Sequence, residues 1–204
     1  MIRALAALAI LAITVAAVSP PHQVHPLRSG EVIAGRFVQE RHLAGLAAPL
    51  RSEGSFVLAE GRGLIWRGEK PFATVTVLTP AGVVQSVDGK EVQRLPAARV
   101  PFLSRFYQML SGALAGDWTA MEHDFTVDRQ EGEPLWTIVL HPRSSDDPAS
   151  AQLQSITVTG GELVETVEIH RANGDWEHLT FLDQVLSSAP LSPEDAQLLS
   201  APPP

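Results

Sequence analysis

The amino-acid sequence predicts a mainly β fold, in which about eleven antiparallel strands form an incomplete β-barrel covered by a helical lid. Short apolar runs rich in β-branched residues alternate with glycine-containing turns along most of the chain. Tight turns join antiparallel neighbours, and a sheet of this length tends to curl. Residues 102–115 have apolar residues at helical spacing instead, and the concave side of the sheet is the natural partner for that apolar face.

A β-hairpin is predicted where two apolar runs, at 56–58 and 64–66, flank a turn that contains Gly61 and Gly63. Glycine adopts the positive φ that tight turns require, at no steric cost. Pro71 has no amide hydrogen to donate to a neighbouring strand, so the second strand is expected to end before it.

The strongest local hairpin signal is Asp88-Gly89, which lies between two alternating runs. The same pattern of short runs and turn residues extends towards the C-terminus, and the run Ser-Pro-Glu-Asp at 192–195 is typical of a capped helix start. Besides the hairpin at 54–68, strands are predicted at 31–39, 73–78, 82–87, 91–95, 121–129, 135–141, 153–159, 163–170 and 175–182.

The chain divides into four segments. Residues 1–18 combine Arg3 with an uncharged apolar run and small residues at its end, which is the layout of a cleaved secretory signal peptide. Residues 19–30 are rich in proline, which is incompatible with a regular helix. The β domain is expected over 31–186, and a short helix with a proline-rich tail over 187–204.

Composition limits the classes of function. The chain is 45% hydrophobic and 19% charged and has a formal net charge of -8, which fits a turn-rich globular protein and not a disordered one. An acidic chain has no general electrostatic attraction for nucleic acid or for anionic membrane surfaces. It contains no cysteine, which excludes disulfides, thiol catalysis and an acylated N-terminal cysteine.

Motifs of catalysis or metal binding are missing from the sequence. There is no Gly-x-Ser-x-Gly elbow, and Ser111 lies in the helical stretch as an ordinary polar position. Glu168 and His170 share a strand face and are able to co-ligate a metal, but such pairs are more often solvated. We therefore predict no catalytic residue, no metal site and no cofactor.

The order of elements resembles that of the periplasmic lipoprotein carrier LolA and its relatives. Phe37-x-Gln39 is followed by a glycine-rich apolar strand, then by Leu-x-Trp-x-x-x-x-Pro at 64–71, then by a β run at 73–78. The resemblance spans residues 35–184 in the order of elements. It implies an incomplete barrel with a helical lid and an apolar interior that holds the acyl chains of a lipoprotein.

Seven apolar residues are predicted to line that interior. Each one taken singly is more often an ordinary core residue, but a barrel wider than about eight strands is too wide for side chains alone to fill. The family also uses one arginine of the second strand to latch the lid. Alignment on Trp66 places Glu60 at that position, so the nearby Arg62 is the latch candidate. The predicted lining residues are Phe37, Phe56, Trp66, Val75, Val77, Phe106 and Leu110.

The function predicted from the sequence is therefore a soluble, non-enzymatic periplasmic carrier, or chaperone, that shuttles a lipoprotein or another lipidic cargo towards the outer membrane. The resemblance implies membrane-bound donor and acceptor proteins, and we expect a monomer. Two alternatives remain at this stage. One is an acyl-ester hydrolase, and the other is a ligand-free interaction module of the cell envelope with a solid core.

Overall fold

The fold comes from a computed structural model, in which residues 27–97, 121–130, 132, 135–143 and 152–200 are described. Within them lie eleven strands and one helix, α1 (Pro193–Ser200). The strands are β1 (Val32–His42), β2 (Leu50–Ala59), β3 (Gly63–Lys70), β4 (Thr74–Thr79), β5 (Gly82–Val87), β6 (Lys90–Pro96), β7 (Phe125–Gln130), β8 (Trp136–Pro142), β9 (Leu153–Gly160), β10 (Val164–Arg171) and β11 (Trp176–Ser187).

All eleven strands belong to one antiparallel sheet in the order β6-β5-β4-β3-β2-β1-β11-β10-β9-β8-β7. Among the described residues the sheet does not close, since β6 and β7 each have a neighbouring strand on one side only. The predicted incomplete antiparallel barrel is thus confirmed as an open eleven-stranded sheet. The predicted lid helix at 102–115 lies outside the described residues.

Most predicted hairpins are present at the expected turns. Gly61 and Gly63 have φ values of 66° and 150°, and Asp88 and Gly89 have φ values of 49° and 73°. The predicted strand at 121–129 needs correction, because residues 122–124 form a turn and β7 begins only at Phe125.

The first and last strands of the sheet pair with each other at its centre. Phe37 of β1 lies opposite Phe181 of β11, and the register shifts by one residue between Ala34 and Arg36. This register shift is a β-bulge in β11, and it includes Asp183, whose φ is 51°. The bulge bends the central pair of strands locally, which increases the twist of the sheet.

The sheet has two different faces, because successive side chains of a strand point to opposite sides. We call the face that carries Phe37 and Phe56 the inner face; it holds the larger apolar cluster. The outer face carries a smaller cluster around Ala59, Ile65 and Val77.

Helix α1 covers the smaller cluster. Leu199 of the helix is buried with it. The helix begins after Ser192, whose Oγ accepts a hydrogen bond from the backbone N–H of Asp195 at 3.1 Å, as an N-cap does. Arg67 of β3 donates to Asp195 Oδ1 at 2.5 Å and fixes the helix to the sheet. Among the described residues, no helix has the length and apolar character needed to cross a membrane.

Candidate functional site

Aromatic rings from four neighbouring strands meet on the inner face. Phe37 and Trp66 stack with ring centroids 3.8 Å apart, and Phe56 meets Phe181 edge to face at 5.2 Å. Trp66 and Phe181 are three strands apart, a separation of about 14 Å between the strands of a flat sheet. Their ring centroids nevertheless lie only 6.2 Å apart. The two rings therefore lean towards each other over the strands between them.

Glycines opposite the phenylalanines make this close approach possible. Gly54 of β2 lies opposite Phe37, and Gly35 of β1 lies opposite Phe56. A Cβ atom at position 35 would come within 2.9 Å of Phe56 Cε1, so a larger residue would displace the ring. The phenylalanine rings therefore lie where the neighbouring strand carries no side chain.

The apolar surface continues onto the other half of the sheet. Strands β8, β9 and β10 contribute buried side chains to the same cluster, with the partly buried Val167 and Ile169 packed against it. The inner face is thus apolar from β3 to β8. The buried residues of its second half are Trp136, Ile138, Leu140, Ile156, Val158 and Val164.

The structure brings together three of the predicted lining residues. Phe37, Phe56 and Trp66 form the aromatic group, in which Phe37 and Phe56 are each 1% exposed. Phe106 and Leu110 lie outside the described residues, so their predicted role is untested.

Val75 and Val77 are on the outer face, so the expectation that they share one interior with Trp66 is wrong. Trp66 lies opposite Thr76, whereas Val77 lies opposite Ile65. Both valines pack with the cluster that α1 covers. The register of β3 with β4 assigns the threonines of β4 to the inner face and these valines to the outer face.

The latch candidate Arg62 is an exposed residue in the turn between β2 and β3. Its backbone N–H donates to the carbonyl oxygen of Ala59 at 3.0 Å, within the turn. A latch role for Arg62 remains a prediction, because the lid helix that it would hold lies outside the described residues.

A polar cluster lies at the end of the inner face where β1 and β10 finish. Its centre is the carboxylate of Glu177, which is 7% exposed. Oε1 lies 3.2 Å from Nε of Arg41 and 3.0 Å from a terminal nitrogen of Arg171. Oε2 accepts a hydrogen bond from Gln39 Nε2 at 2.8 Å, and Gln39 in turn accepts one from Ser52.

These contacts determine the charge state of Glu177. Burial alone would raise the pKa of its carboxyl group. The hydrogen bonds from Arg171 and Gln39 and the charges of both arginines lower it, and together they outweigh burial, so the pKa of Glu177 is lower than usual. The carboxylate is ionised at neutral pH, and the cluster closes one end of the apolar surface with charge.

In the described part of the chain, one buried side-chain acceptor, on Gln184, has no hydrogen-bond partner. The side-chain amide of Gln184 donates to the carbonyl oxygen of Val164 at 2.7 Å, while Gln184 Oε1 is buried without a hydrogen bond. Gln184 lies beside Gly35, next to the aromatic group. Such a buried acceptor without a partner destabilises the fold, because it has lost its hydrogen bonds to water.

Sequence reasoning missed Phe181 and the Glu177 cluster. Phe181 lies in a strand that the sequence predicted, but its place beside Phe37 depends on the pairing of β1 with β11. The cluster draws residues from four strands, and the available signal is that inner-face positions turn polar towards the same end, at Gln39 in β1 and Glu177 in β11.

The inner face of the described residues is apolar, and most of its large side chains are buried. Among the part of the chain that the structure describes, no group of three or more metal-binding side chains lies close enough to hold an ion. Glu168 and His170 do contact each other, at 2.5 Å on the outer face. The arrangement as a whole is suited to contact with apolar molecules.

A comparison with solved structures finds similar chains from several bacteria. A LolA superfamily protein from Nitrosomonas europaea has 8% sequence identity and a TM-score of 0.42, over 82% of this chain and 89% of that one. A putative outer membrane lipoprotein-sorting protein domain from Vibrio parahaemolyticus has 11% identity and a TM-score of 0.35, over 83% and 91%. The MucA/MucB complex of Pseudomonas aeruginosa has 17% identity and a TM-score of 0.38, over 84% and 56%.

The family assignment rests on sequence. A search of curated proteins finds no match to this chain. The sequence model of the family described as "Outer membrane lipoprotein carrier protein LolA-like" matches residues 14–197, which include every strand of the sheet and most of α1. The chain therefore belongs to the LolA-like family of outer membrane lipoprotein carrier proteins.

Proposed function

We propose that the protein is a periplasmic carrier that binds the acyl chains of a lipoprotein or a similar lipid on its inner face. The observation that carries this proposal is the continuous apolar inner face, which has the aromatic group at its centre and the charged Glu177 cluster at one end. Each buried methylene contributes about 0.8 kcal/mol before association costs, so a long acyl chain needs no catalytic or covalent contact to be held.

Family membership supports the cargo class, because relatives in this family are described as outer membrane lipoprotein carriers. The signal-peptide layout of residues 1–18 supports export, and we expect a processed, soluble protein in the periplasm. Donor and acceptor proteins in the two membranes, and a monomeric carrier, are part of the same proposal.

The first test is mass spectrometry of lipids that co-purify with the protein from the periplasm. Acylated cargo, enriched over a periplasmic protein of similar size, is the expected result. A preparation without lipid that also fails to bind a fluorescent fatty-acid probe would reject the carrier and favour the ligand-free interaction module.

A pair of variants ties binding to the inner face. Trp66 is only partly buried there, and Val75 is its matched control because it lies on the neighbouring strand but on the outer face. Trp66→Ala should weaken binding of the fatty-acid probe about tenfold, which corresponds to about 1.4 kcal/mol. Val75→Ala should leave the affinity unchanged. Equal losses in both variants would place the probe elsewhere.

The alternative of an acyl-ester hydrolase is tested with p-nitrophenyl esters of several chain lengths. We expect only background hydrolysis, since the sequence has no motif of a nucleophile, base and oxyanion hole. Turnover that is lost in a folded Ser111→Ala variant would instead identify an enzyme.

A further inference from the structure

The turn between β10 and β11 contains the only asparagine of the chain, Asn173, and a glycine follows it. Both residues are exposed, and Gly174 has a φ of 88°. The side-chain amide of an asparagine is open to attack by the backbone nitrogen of the next residue. Glycine permits this attack most readily, because it has no Cβ to shield that nitrogen or to restrict the backbone. The turn therefore carries a pair of residues that are able to react with each other.

The reaction needs only the chain and water. The backbone nitrogen of Gly174 forms a bond to Cγ of Asn173 and loses its proton, while the bond from Cγ to Nδ2 breaks and ammonia leaves. Water then opens the cyclic imide to aspartate or isoaspartate. The product side chain is an ionised carboxylate, which accepts hydrogen bonds but has no donor, whereas the native amide has both.

The fold holds both reacting groups in hydrogen bonds. The N–H of Gly174 donates to the carbonyl oxygen of Arg171 at 3.1 Å. Oδ1 of Asn173 accepts a hydrogen bond from the N–H of Asp175 at 3.0 Å, and Nδ2 donates to Asp175 Oδ2 at 2.8 Å. Ring closure therefore requires the turn to open first, and the rate of reaction depends on how often it opens.

Asp175 connects this turn to a second loop. Its Oδ1 accepts a hydrogen bond from the N–H of Ala44, in the loop between β1 and β2, at 2.8 Å. The hydrogen bonds from Ala44 and from the Asn173 amide lower the pKa of the Asp175 carboxyl group. Asp175 is therefore ionised at neutral pH, and its carboxylate holds the two loops together.

We propose that Asn173 is a deamidation site that the folded turn protects, and that its conversion to an acid releases the loop between β1 and β2. Deamidation replaces the amide donor by a second carboxylate, where the native contact with Asp175 is 2.8 Å long. Like charges at that distance repel, so the contact that fixes Asp175 for Ala44 is lost. The change is irreversible because ammonia leaves. This inference is independent of whether the inner face binds acyl chains.

The first test compares the rate of deamidation of the folded protein with that of the same chain unfolded in urea, in one mildly alkaline buffer. Mass spectrometry of the tryptic peptide that begins at Ala172 measures the conversion, and Asn173 is the only asparagine that contributes. The folded protein should react at least about tenfold more slowly, since only the open turn reacts.

A pair of variants separates local opening from global unfolding. Asp175→Ala removes the partner of the Asn173 amide, so the folded variant should react about tenfold faster than the native protein, the effect of losing a hydrogen bond to a charged group. The matched control is Asp195→Ala, which weakens the anchor of α1 instead. Its rate should stay close to the native rate, because α1 covers Ala59 beside the start of β1, whereas Asp175 lies near the other end of β1, at His42.

Asn173→Asp reproduces one product of the reaction and tests its consequence for the loop. Hydrogen exchange at the N–H of Ala44 should be at least about tenfold faster in this variant than in the native protein. The control is Ala172→Asp, which adds the same charge at the neighbouring exposed position and keeps the amide of Asn173. Exchange at Ala44 should be native in that control.

Four results would overturn the proposal. A chain that does not react in urea has no deamidation site, and equal rates in the folded and unfolded protein show that the turn gives no protection. Equal acceleration in Asp175→Ala and Asp195→Ala shows that the reaction follows global unfolding. Native exchange at Ala44 in the Asn173→Asp variant shows that the loop is not held through this contact.

Discussion

At the scale of single residues, the site depends on small residues as much as on large ones. Phe37 reaches Trp66, two strands away, across the position of Gly54, and Phe56 passes over Gly35 in the same manner. The geometry at Gly54 is the tighter of the two, since a Cβ there would lie 1.8 Å from the carbonyl oxygen of Arg67. A backbone atom cannot yield as the end of a flexible side chain does.

Gly54→Ala should therefore destabilise the fold by about 2–3 kcal/mol through overpacking. The control is Gly161→Ala, where the nearest atom would be the flexible Glu165 Oε1 at 3.5 Å, an ordinary contact. We expect that variant to stay within about 0.5 kcal/mol of the native protein. Urea unfolding followed by tryptophan fluorescence measures both, and similar stabilities of the two variants would contradict the packing described here.

The charged end of the inner face gives a prediction about pH. The folded-state pKa of Glu177 lies below its usual value, so its ion pairs contribute stability that is fully present above the unfolded-state pKa and is lost as pH falls through the folded-state pKa. Glu177→Gln should cost about 1.5–3 kcal/mol at pH 7, the value of hydrogen bonds to a charged group.

That cost should shrink as pH falls below the ordinary carboxyl pKa. The pKa values of Glu53, Glu69 and Asp175 are also lowered, so acid destabilises the native protein as well, and the comparison with the variant isolates Glu177. Urea midpoints measured for both proteins across this range provide the test. A constant difference between them at all pH values would mean that the cluster does not depend on an ionised Glu177.

At the scale of elements, the hairpins were predictable because each is determined within a few residues. Asp88 and Gly89 take the positive φ that the turn needs. It was harder to predict from the sequence which side chains of each strand lie on the inner face. Alternation separates Val75 and Val77 from the threonines between them, but only the register across residues 71–73 decides that Thr76, and not a valine, lies beside Trp66.

The place where α1 packs on the sheet could not be predicted from the sequence either. Its capping residues predicted a helix, but they contain no information about the surface that it covers. That surface is the outer cluster, and Arg67 is its polar anchor, 23% exposed in its side chain. The ion pair joins the C-terminal helix to β3, so it stabilises the packing of the helix on the sheet as well as the helix itself.

Asp195→Ala should cost about 1–2 kcal/mol, because it removes this partly buried ion pair and a hydrogen bond to the capping Ser192. Glu194 provides a control on the adjacent residue. Its side chain is 80% exposed and lies 3.6 Å from the same guanidinium, so Glu194→Ala should change stability by less than about 0.5 kcal/mol. Thermal melts measure the loss of stability in each variant relative to the native protein. Equal losses in both would show that α1 is not anchored through Asp195.

At the scale of the whole molecule, the decisive contact joins β1 to β11. A chain of successive hairpins predicts the order of strands within each half, but no local signal states that the two halves meet through the first and last strands. This pairing places Phe181 and Glu177 next to β1, and so creates both the aromatic group and the charged end of the inner face. It also makes long-range contacts essential to folding, which slows the formation of such sheets.

The last prediction follows from that topology. Strands β1 and β11 are each paired on both sides, and their inner-face side chains lie in the main cluster. In the described part of the chain, β6 and β7 have a strand on one side only, and their side chains are mostly exposed. Local opening costs least where contacts are fewest, so the edges should open without the centre.

Hydrogen exchange followed by mass spectrometry should therefore show the slowest amides in β1 and β11 and exchange at least about tenfold faster in β6 and β7, a difference of about 1.4 kcal/mol in opening free energy. The comparison is internal, since all four strands belong to one sheet and are measured in one experiment. Uniform protection from β6 to β7 would mean that the open sheet unfolds as a single unit and that its edges are held as firmly as its centre. Protection that falls steadily from the β1–β11 pair towards β6 and β7 would instead show that this central pair is the most stable part of the sheet and that its edge strands open first.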